Sequence, residues 1–212
     1  SATAITAGGY HSCAIRSGAS EAICWGYDSA GQSSPPPSVN GTSGSATAIA
    51  AGGEHSCAIQ SVTGAAICWG RDSYGQSTPP PSVNGISGLA SAIAAGGHHS
   101  CAIQSGSAAV VCWGYNSHGQ STPPSSVDGT SGSATAIAAG LLHSCAIQSG
   151  SAAAICWGSD SEGQSTPPAS VNGTSGSATS IAAGGYHSCA IQSGSGAVVC
   201  WGADAVGQAT PP

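Results

Sequence analysis

The sequence predicts an all-β fold, a single five-bladed β-propeller of 44-residue repeats with one disulfide per blade. Three observations predict it. Cys-Trp-Gly begins at Cys24, Cys68, Cys112, Cys156 and Cys200, and His-Ser-Cys begins at His11, His55, His99, His143 and His187, both at intervals of 44 residues. A period of about 40–45 residues holding short strands is that of a propeller blade. Units one and five are as apolar as the middle units, and an open solenoid would need polar caps at its ends. The ring is therefore expected to close. One domain spans residues 1–212, with units 1–44, 45–88, 89–132, 133–176 and 177–212.

Within unit two, Thr47–Ala51, His55–Gln60 and Ala65–Trp69 read as strands. Gly52 and Gly53 break the first pair, and Val62, Thr63 and Gly64 break the second; β-branched runs between glycine turns are strand signals. Residues 75–78 are a candidate fourth strand before the proline run. The last unit stops eight residues short of 44, where a linker to a sixth unit would begin, and the start at Ser1 without a signal-peptide pattern predicts a processed mature form.

Ten cysteines form five pairs, each with ten residues between the partners. For Cys101 and Cys112 the midpoint falls between Gly106 and Ser107, where the hairpin must turn. The two cysteines then face each other on adjacent antiparallel strands, within disulfide reach. The predicted bridges are Cys13–Cys24, Cys57–Cys68, Cys101–Cys112, Cys145–Cys156 and Cys189–Cys200. Zinc ligation wants a closer spacing, and redox chemistry wants C-x-x-C, so both are disfavoured. Five staples predict a secreted, extracellular or periplasmic protein. Asn40 and Asn172 head N-x-Thr sequons and are predicted N-glycan acceptors; Asn84 and Asp128 in the sister loops head none.

Charge narrows the partners. The chain has 2 cationic and 8 acidic side chains, a net charge of −6. Two cations cannot neutralise a nucleic-acid backbone or an anionic membrane surface, so neither is an expected partner. No apolar run reaches the roughly 20 residues of a spanning helix, and no membrane insertion is expected.

The run from Ala51 through Gly53, His55, Ser56 and Cys57 to Trp69, Gly70, Asp72, Gly75 and Gln76 resembles the repeat of the regulator-of-chromosome-condensation propellers. It is closer still to the secreted bacterial propellers that inhibit β-lactamases. The resemblance covers all five units and implies the propeller fold. Those relatives have seven blades, and their repeats carry aliphatic residues where this chain carries cysteine pairs. The cation-poor composition argues against a chromatin role. In ring size alone the chain matches the tachylectin-type lectins, which hold one sugar per blade.

Residues constant in every unit serve the blade; residues that vary are free of that duty. Trp25, Trp69, Trp113, Trp157 and Trp201 are either sugar platforms or wedges between blades, and the resemblance favours wedges. The five constant histidines read as hydrogen-bonded structural groups. Asp28, Asp72, Asn116, Asp160 and Asp204 read as turn formers, because Asn replaces Asp once. Gln32, Gln76, Gln120, Gln164 and Gln208 are the candidate sugar-binding residues of a five-site lectin.

The variable positions form three columns. Before each histidine stand Tyr10, Glu54, His98, Leu142 and Tyr186; after each Trp-Gly stand Tyr27, Arg71, Tyr115, Ser159 and Ala203; three residues on stand Ala30, Tyr74, His118, Glu162 and Val206. All five tyrosines fall in these columns. Aromatic residues and arginine gathered in the loops of a rigid scaffold read as a recognition surface. The candidate ligand- or partner-binding residues are thus Tyr10, Tyr27, Glu54, Arg71, Tyr74, His98, Tyr115, His118 and Tyr186 with the five glutamines. The resemblance places the same loops on the partner-facing rim of the inhibitor propellers. A metal patch of His98, His99 and His118 is the weakest reading, and no cofactor or metal is expected.

Catalysis needs unlike groups converging on one point. Here almost every polar side chain recurs in each unit, and His11 and Ser12 are neighbours on one strand with opposite faces. The expectation is a secreted, non-catalytic binding propeller, first a multivalent carbohydrate-binding lectin. The alternative is a protein-binding inhibitor of a secreted enzyme, acting through variable loops on one face.

Overall fold

In a computed structural model that describes residues 1–212, each repeat forms one three-stranded antiparallel sheet. The first blade is β1 (Ala2–Ala7), β2 (His11–Arg16) and β3 (Ala22–Gly26), paired in sequence order, and the same triplet recurs in the other four units. The fold is the expected five-bladed β-propeller. Within each blade the two cysteines are directly opposed, Cys13 against Cys24 and Cys101 against Cys112. All five expected disulfides are formed and no cysteine is free.

Residues 75–78 are not a strand. They belong to a self-capped loop in which the N–H groups of Ser77 and Thr78 bond within the loop instead of to a neighbouring strand. Thr78 N–H donates to Gly75 O at 3.1 Å, Ser77 N–H to Asp72 Oδ1 at 2.7 Å and Thr78 Oγ1 to Asp72 Oδ2 at 2.7 Å. Asn116 does the same work in blade three, accepting from Ser121 N–H at 2.8 Å and donating to Thr122 Oγ1 at 2.9 Å. Each blade is therefore three strands and a capped loop.

A blade of Ala and Ile strands is too thin to hold a core of its own. The apolar residues gather between blades, in four clusters that each draw on two consecutive units. Between blades two and three, Cys57, Ile59, Ala66 and Val83 meet Ala90, Ala102 and Trp113. Val83 belongs to the linker, and its counterparts Val39, Val127 and Val171 are likewise wholly buried.

The fifth blade does not meet the first in this way, contrary to the expected closed ring. Trp25 is 48% exposed, whereas Trp69, Trp113, Trp157 and Trp201 are 8% exposed. Ile5 on blade one and Ile191 and Val198 on blade five are exposed as well. Gly53 packs so closely on Gly97 that an added Cβ would lie 2.6 Å from its carbonyl oxygen, yet the equivalent Gly185 has nothing within 4 Å. Every interface formed in the chain includes a linker valine, and blade five has no counterpart of it within residues 1–212.

Strand direction sorts the connections. The β1–β2 turn and the loop after β3 lie at one end of the blade, tied by Tyr27 N–H donating to Tyr10 O at 2.9 Å. The β2–β3 hairpin and the linkers lie at the other, where Ala46 N–H donates to Ser20 O at 2.7 Å. All three variable columns thus share one end, hereafter the rim.

Candidate functional site

The constant polar residues are accounted for between blades. His11 Nε2 lies 2.7 Å from Ser56 Oγ of the next blade, and the same contact joins His55 to Ser100, His99 to Ser144 and His143 to Ser188. Each of these serines donates its one hydroxyl proton to a main-chain carbonyl, Ser56 to Gln32 O at 2.9 Å. The histidine must then be the donor, with its proton on Nε2. Trp69 Nε1–H donates to that same Gln32 O at 2.9 Å, and Trp113, Trp157 and Trp201 repeat the bond. One unit's His and Gln carbonyl and the next unit's Ser and Trp form a lock.

This lock fixes the titration of the histidines. Nδ1 of His11, His55, His99 and His143 is buried without a hydrogen-bond partner. A second proton would add a charge in an apolar interface. Burial, reinforced by neighbouring histidines, pushes His55 down to about 4 and His99 down to about 3. Burial and the charge of His187 push His143 down to about 4. His11 is lowered by burial too, against the pull of Asp28.

The glutamines do not present a sugar site. Gln32, Gln76, Gln120 and Gln164 are 0% exposed. Each turns its side-chain oxygen onto the backbone two residues earlier; Gln76 Oε1 accepts from Tyr74 N–H at 2.9 Å. The loop needs that acceptor for its own turn, so the side chain folds inward. Gln208 makes the same bond to Val206 N–H at 3.0 Å. The five-site lectin expectation loses its contact residues for this reason. The tryptophans are wedges, as expected, with Trp25 alone left open at the seam.

The variable residues do come together. Tyr74 of blade two lies 4.7 Å from Tyr115 and 5.5 Å from His98 of blade three, between ring centroids. Tyr115 is 6.4 Å from both His98 and His118. On blade one, Tyr10 and Tyr27 meet edge to face at 6.1 Å. Between these groups Arg71 Nε pairs with Glu54 Oε2 at 2.6 Å. Tyr10, Glu54, Arg71 and His98 line a depression of about 550 Å³, which shares Gly9, Gly53, Gly97 and Leu141 with the central channel. Tyr186 stands exposed on blade five, outside these aromatic groups. His99 points into its interface while His98 and His118 pack on tyrosines, so the three do not converge as a metal site.

The columns did not reveal how they interlock. Tyr74, in the third column of blade two, touches His98 and Tyr115 of the first and second columns of blade three. Sequence reading also missed Leu141, which stands where the other units have a second glycine and lies over Gly97 at the channel mouth. The two sequon asparagines serve their own turns. Asn40 Nδ2 donates to Pro35 O at 3.0 Å and Asn172 Nδ2 to Pro167 O at 3.0 Å.

Residues 46–76, 90–120 and 178–208 match the regulator of chromosome condensation (RCC1) repeat. No curated protein sequence matches the chain significantly. Among solved structures it is similar to the CRINKLY WD40 ectodomain of the Arabidopsis thaliana receptor kinase ACR4, with a TM-score of 0.68 and 28% identity over 93% of this chain and 62% of that one. It is similar to the ectodomain of the Physcomitrella patens receptor kinase CR4, with a TM-score of 0.73 and 25% identity over 95% of this chain and 50% of that one. Prp20p from Saccharomyces cerevisiae shares the fold, with a TM-score of 0.70 and 20% identity over 95% of this chain and 58% of that one. The chain thus spans between half and about 62% of the length of these structures. It is a five-bladed β-propeller, three of whose repeats match the RCC1 repeat.

Proposed function

We propose that the chain is a non-catalytic recognition module, working outside the reducing cytosol, that holds one protein partner per chain against the rim of blades one to three. One observation carries this reading. Aromatic residues scattered over three sequence columns form two clusters on one rim, Tyr10 with Tyr27 and Tyr74 with His98, Tyr115 and His118, on either side of the Arg71–Glu54 pair, while the residues repeated in every unit are spent on locking blades. A surface built from what differs between blades suits one asymmetric partner rather than five equal ligands. Exposed tyrosines on a rigid scaffold supply contact area at low entropic cost. The repeated His–Ser pairs are sealed in interfaces, where no substrate reaches them. The five disulfides and the likeness to two receptor-kinase ectodomains support an extracellular setting. A secreted enzyme held by these loops is the inhibitor form of the same reading.

The test is affinity capture from extracellular fluid with the wild-type chain and the Tyr74→Ala/Tyr115→Ala variant. The expected result is one partner at one copy per chain, lost by the variant while its circular dichroism is unchanged. Equal capture by both would overturn the reading. A glycan reading rests on a different observation: Tyr10, Tyr27 and Glu54 line a groove beside the larger depression, with which it shares Tyr10 and Glu54, and two aromatic rings and a carboxylate suit a pyranose. Its mark is a glycan-array hit at one site per chain that Tyr10→Ala removes and Tyr74→Ala/Tyr115→Ala leaves.

A further inference from the structure

The net charge is not spread evenly over the molecule. Asp28, Glu54, Asp72, Asp160, Glu162 and Asp204 lie in rim loops, and only Glu21 and Asp128 lie at the opposite end. The two arginines divide one to each end. Arg16 pairs with Glu21 at 3.0 Å, and Arg71 pairs with Glu54 on the rim. The rim therefore carries five of the six net negative charges, and its one cation is already neutralised. All five tyrosines lie on this same end.

These acids do not form a chelating centre. Asp28 and Asp72 direct both carboxylate oxygens into their own loops, and Glu54 is taken by Arg71. They act instead as a negative field over an aromatic platform. Tyr74 and Tyr115 meet at an interplanar angle of 53°, and Tyr10, Tyr27 and Tyr74 are exposed. Asp28 directly follows Tyr27, and Asp72 is two residues before Tyr74. A planar guanidinium stacks on an aromatic ring and is drawn by such a field, and an ammonium has less to gain from the ring face.

Resting on the recognition reading above, we infer that the partner offers the rim a cationic, arginine-bearing polypeptide segment. The tyrosines take the guanidinium planes and the loop carboxylates supply long-range attraction, which salt screens.

The experiment is calorimetric titration of the whole chain with three twelve-residue peptides that alternate glycine with arginine, lysine or glutamate. Arginine peptide is expected to bind at least fivefold more tightly than lysine peptide, and glutamate peptide not to bind. Raising salt from 50 to 300 mM should weaken the arginine peptide at least tenfold. The quadruple variant Asp28→Asn, Asp72→Asn, Asp160→Asn and Asp204→Asn should also lose at least tenfold. It should keep its fold, because Asn116 already caps the same loop in blade three. Tyr74→Ala/Tyr115→Ala should abolish the preference for arginine over lysine. Equal binding of arginine and glutamate peptides, no arginine binding, or an unaltered quadruple variant would overturn the inference. If arginine binding is absent while partner capture still depends on Tyr74 and Tyr115, the charge inference falls and the recognition reading stands. If capture is also insensitive to those tyrosines, both fall.

Discussion

His99 donates through Nε2 to Ser144 Oγ at 2.8 Å, across the interface between blades three and four. Ser144 passes its own proton to Gln120 O at 3.0 Å, which also accepts from Trp157. Four such locks join the five blades, and within residues 1–212 His187 and Gln208 of the last blade and Ser12 and Trp25 of the first form no fifth.

Ser144→Ala should therefore cost about 1–3 kcal/mol, because it leaves a buried imidazole N–H without an acceptor. Ser12→Ala, at the same repeat position on the open side of blade one, should cost less than about 0.5 kcal/mol. Urea denaturation of the two variants makes the comparison, and equal losses would mean that Ser12 is also locked in solution.

Tryptophan fluorescence reads the seam directly. Acrylamide should quench one component strongly, and Trp25→Phe should remove that component. Trp113→Phe should leave it and cost about 1–3 kcal/mol through the lost indole bond. A Trp25 as shielded as the other four would show that blades five and one meet.

Acid should weaken the fold through the buried histidines. The folded-state values of His55, His99 and His143 lie below 6.5, so the unfolded chain binds more protons as pH falls. Stability is complete above about pH 6.5, declines as pH drops toward 4, and levels off once the folded-state histidines also protonate. Each histidine should contribute on the order of 3 kcal/mol to that loss. Thermal melts from pH 7 to pH 4 measure it, and His55→Gln should flatten the profile. A melting temperature constant over that range would contradict the buried neutral state.

The hairpin carries a second test. Ala108 and Ala152 have φ of 55° and 54°, where units two and five place Gly64 and Gly196 at φ of 71°. A left-handed conformation costs a side-chain-bearing residue roughly 1–2 kcal/mol, and the greater freedom of unfolded glycine returns part of it. Ala108→Gly should raise stability by about 0.5–1 kcal/mol, read as a higher denaturant midpoint with an unchanged slope. A lower midpoint would show that the methyl group packs usefully against the neighbouring blade.

Much of the fold was legible because repetition acts as an internal control. The spacing of Cys101 and Cys112 about Gly106 gave the hairpin register, hence every disulfide. The identity of Trp and His in all units marked them as structural. The glutamines misled because a constant polar residue beside a variable loop looks accessible from sequence. Only the fold shows Gln76 turned inward to satisfy the backbone at Tyr74. Residues 75–78 misled for a related reason, since Asp72 draws in the backbone and hydroxyl groups that a strand would have left extended.

The sequence by itself determined the blade: its three strands, its disulfide, its loops, and the surplus of acid over base. These follow from local periodicity and from residue types at fixed spacing. The tertiary structure decided what lies between blades and at the ends. It placed Tyr74 against Tyr115 and His98, paired Glu54 with Arg71, buried the glutamines, and left Trp25 open. Those outcomes depend on the angle at which one blade meets the next. That angle is set by glycine contacts, linker valines and the His–Ser–Gln–Trp lock, long-range packing that a 44-residue period does not encode.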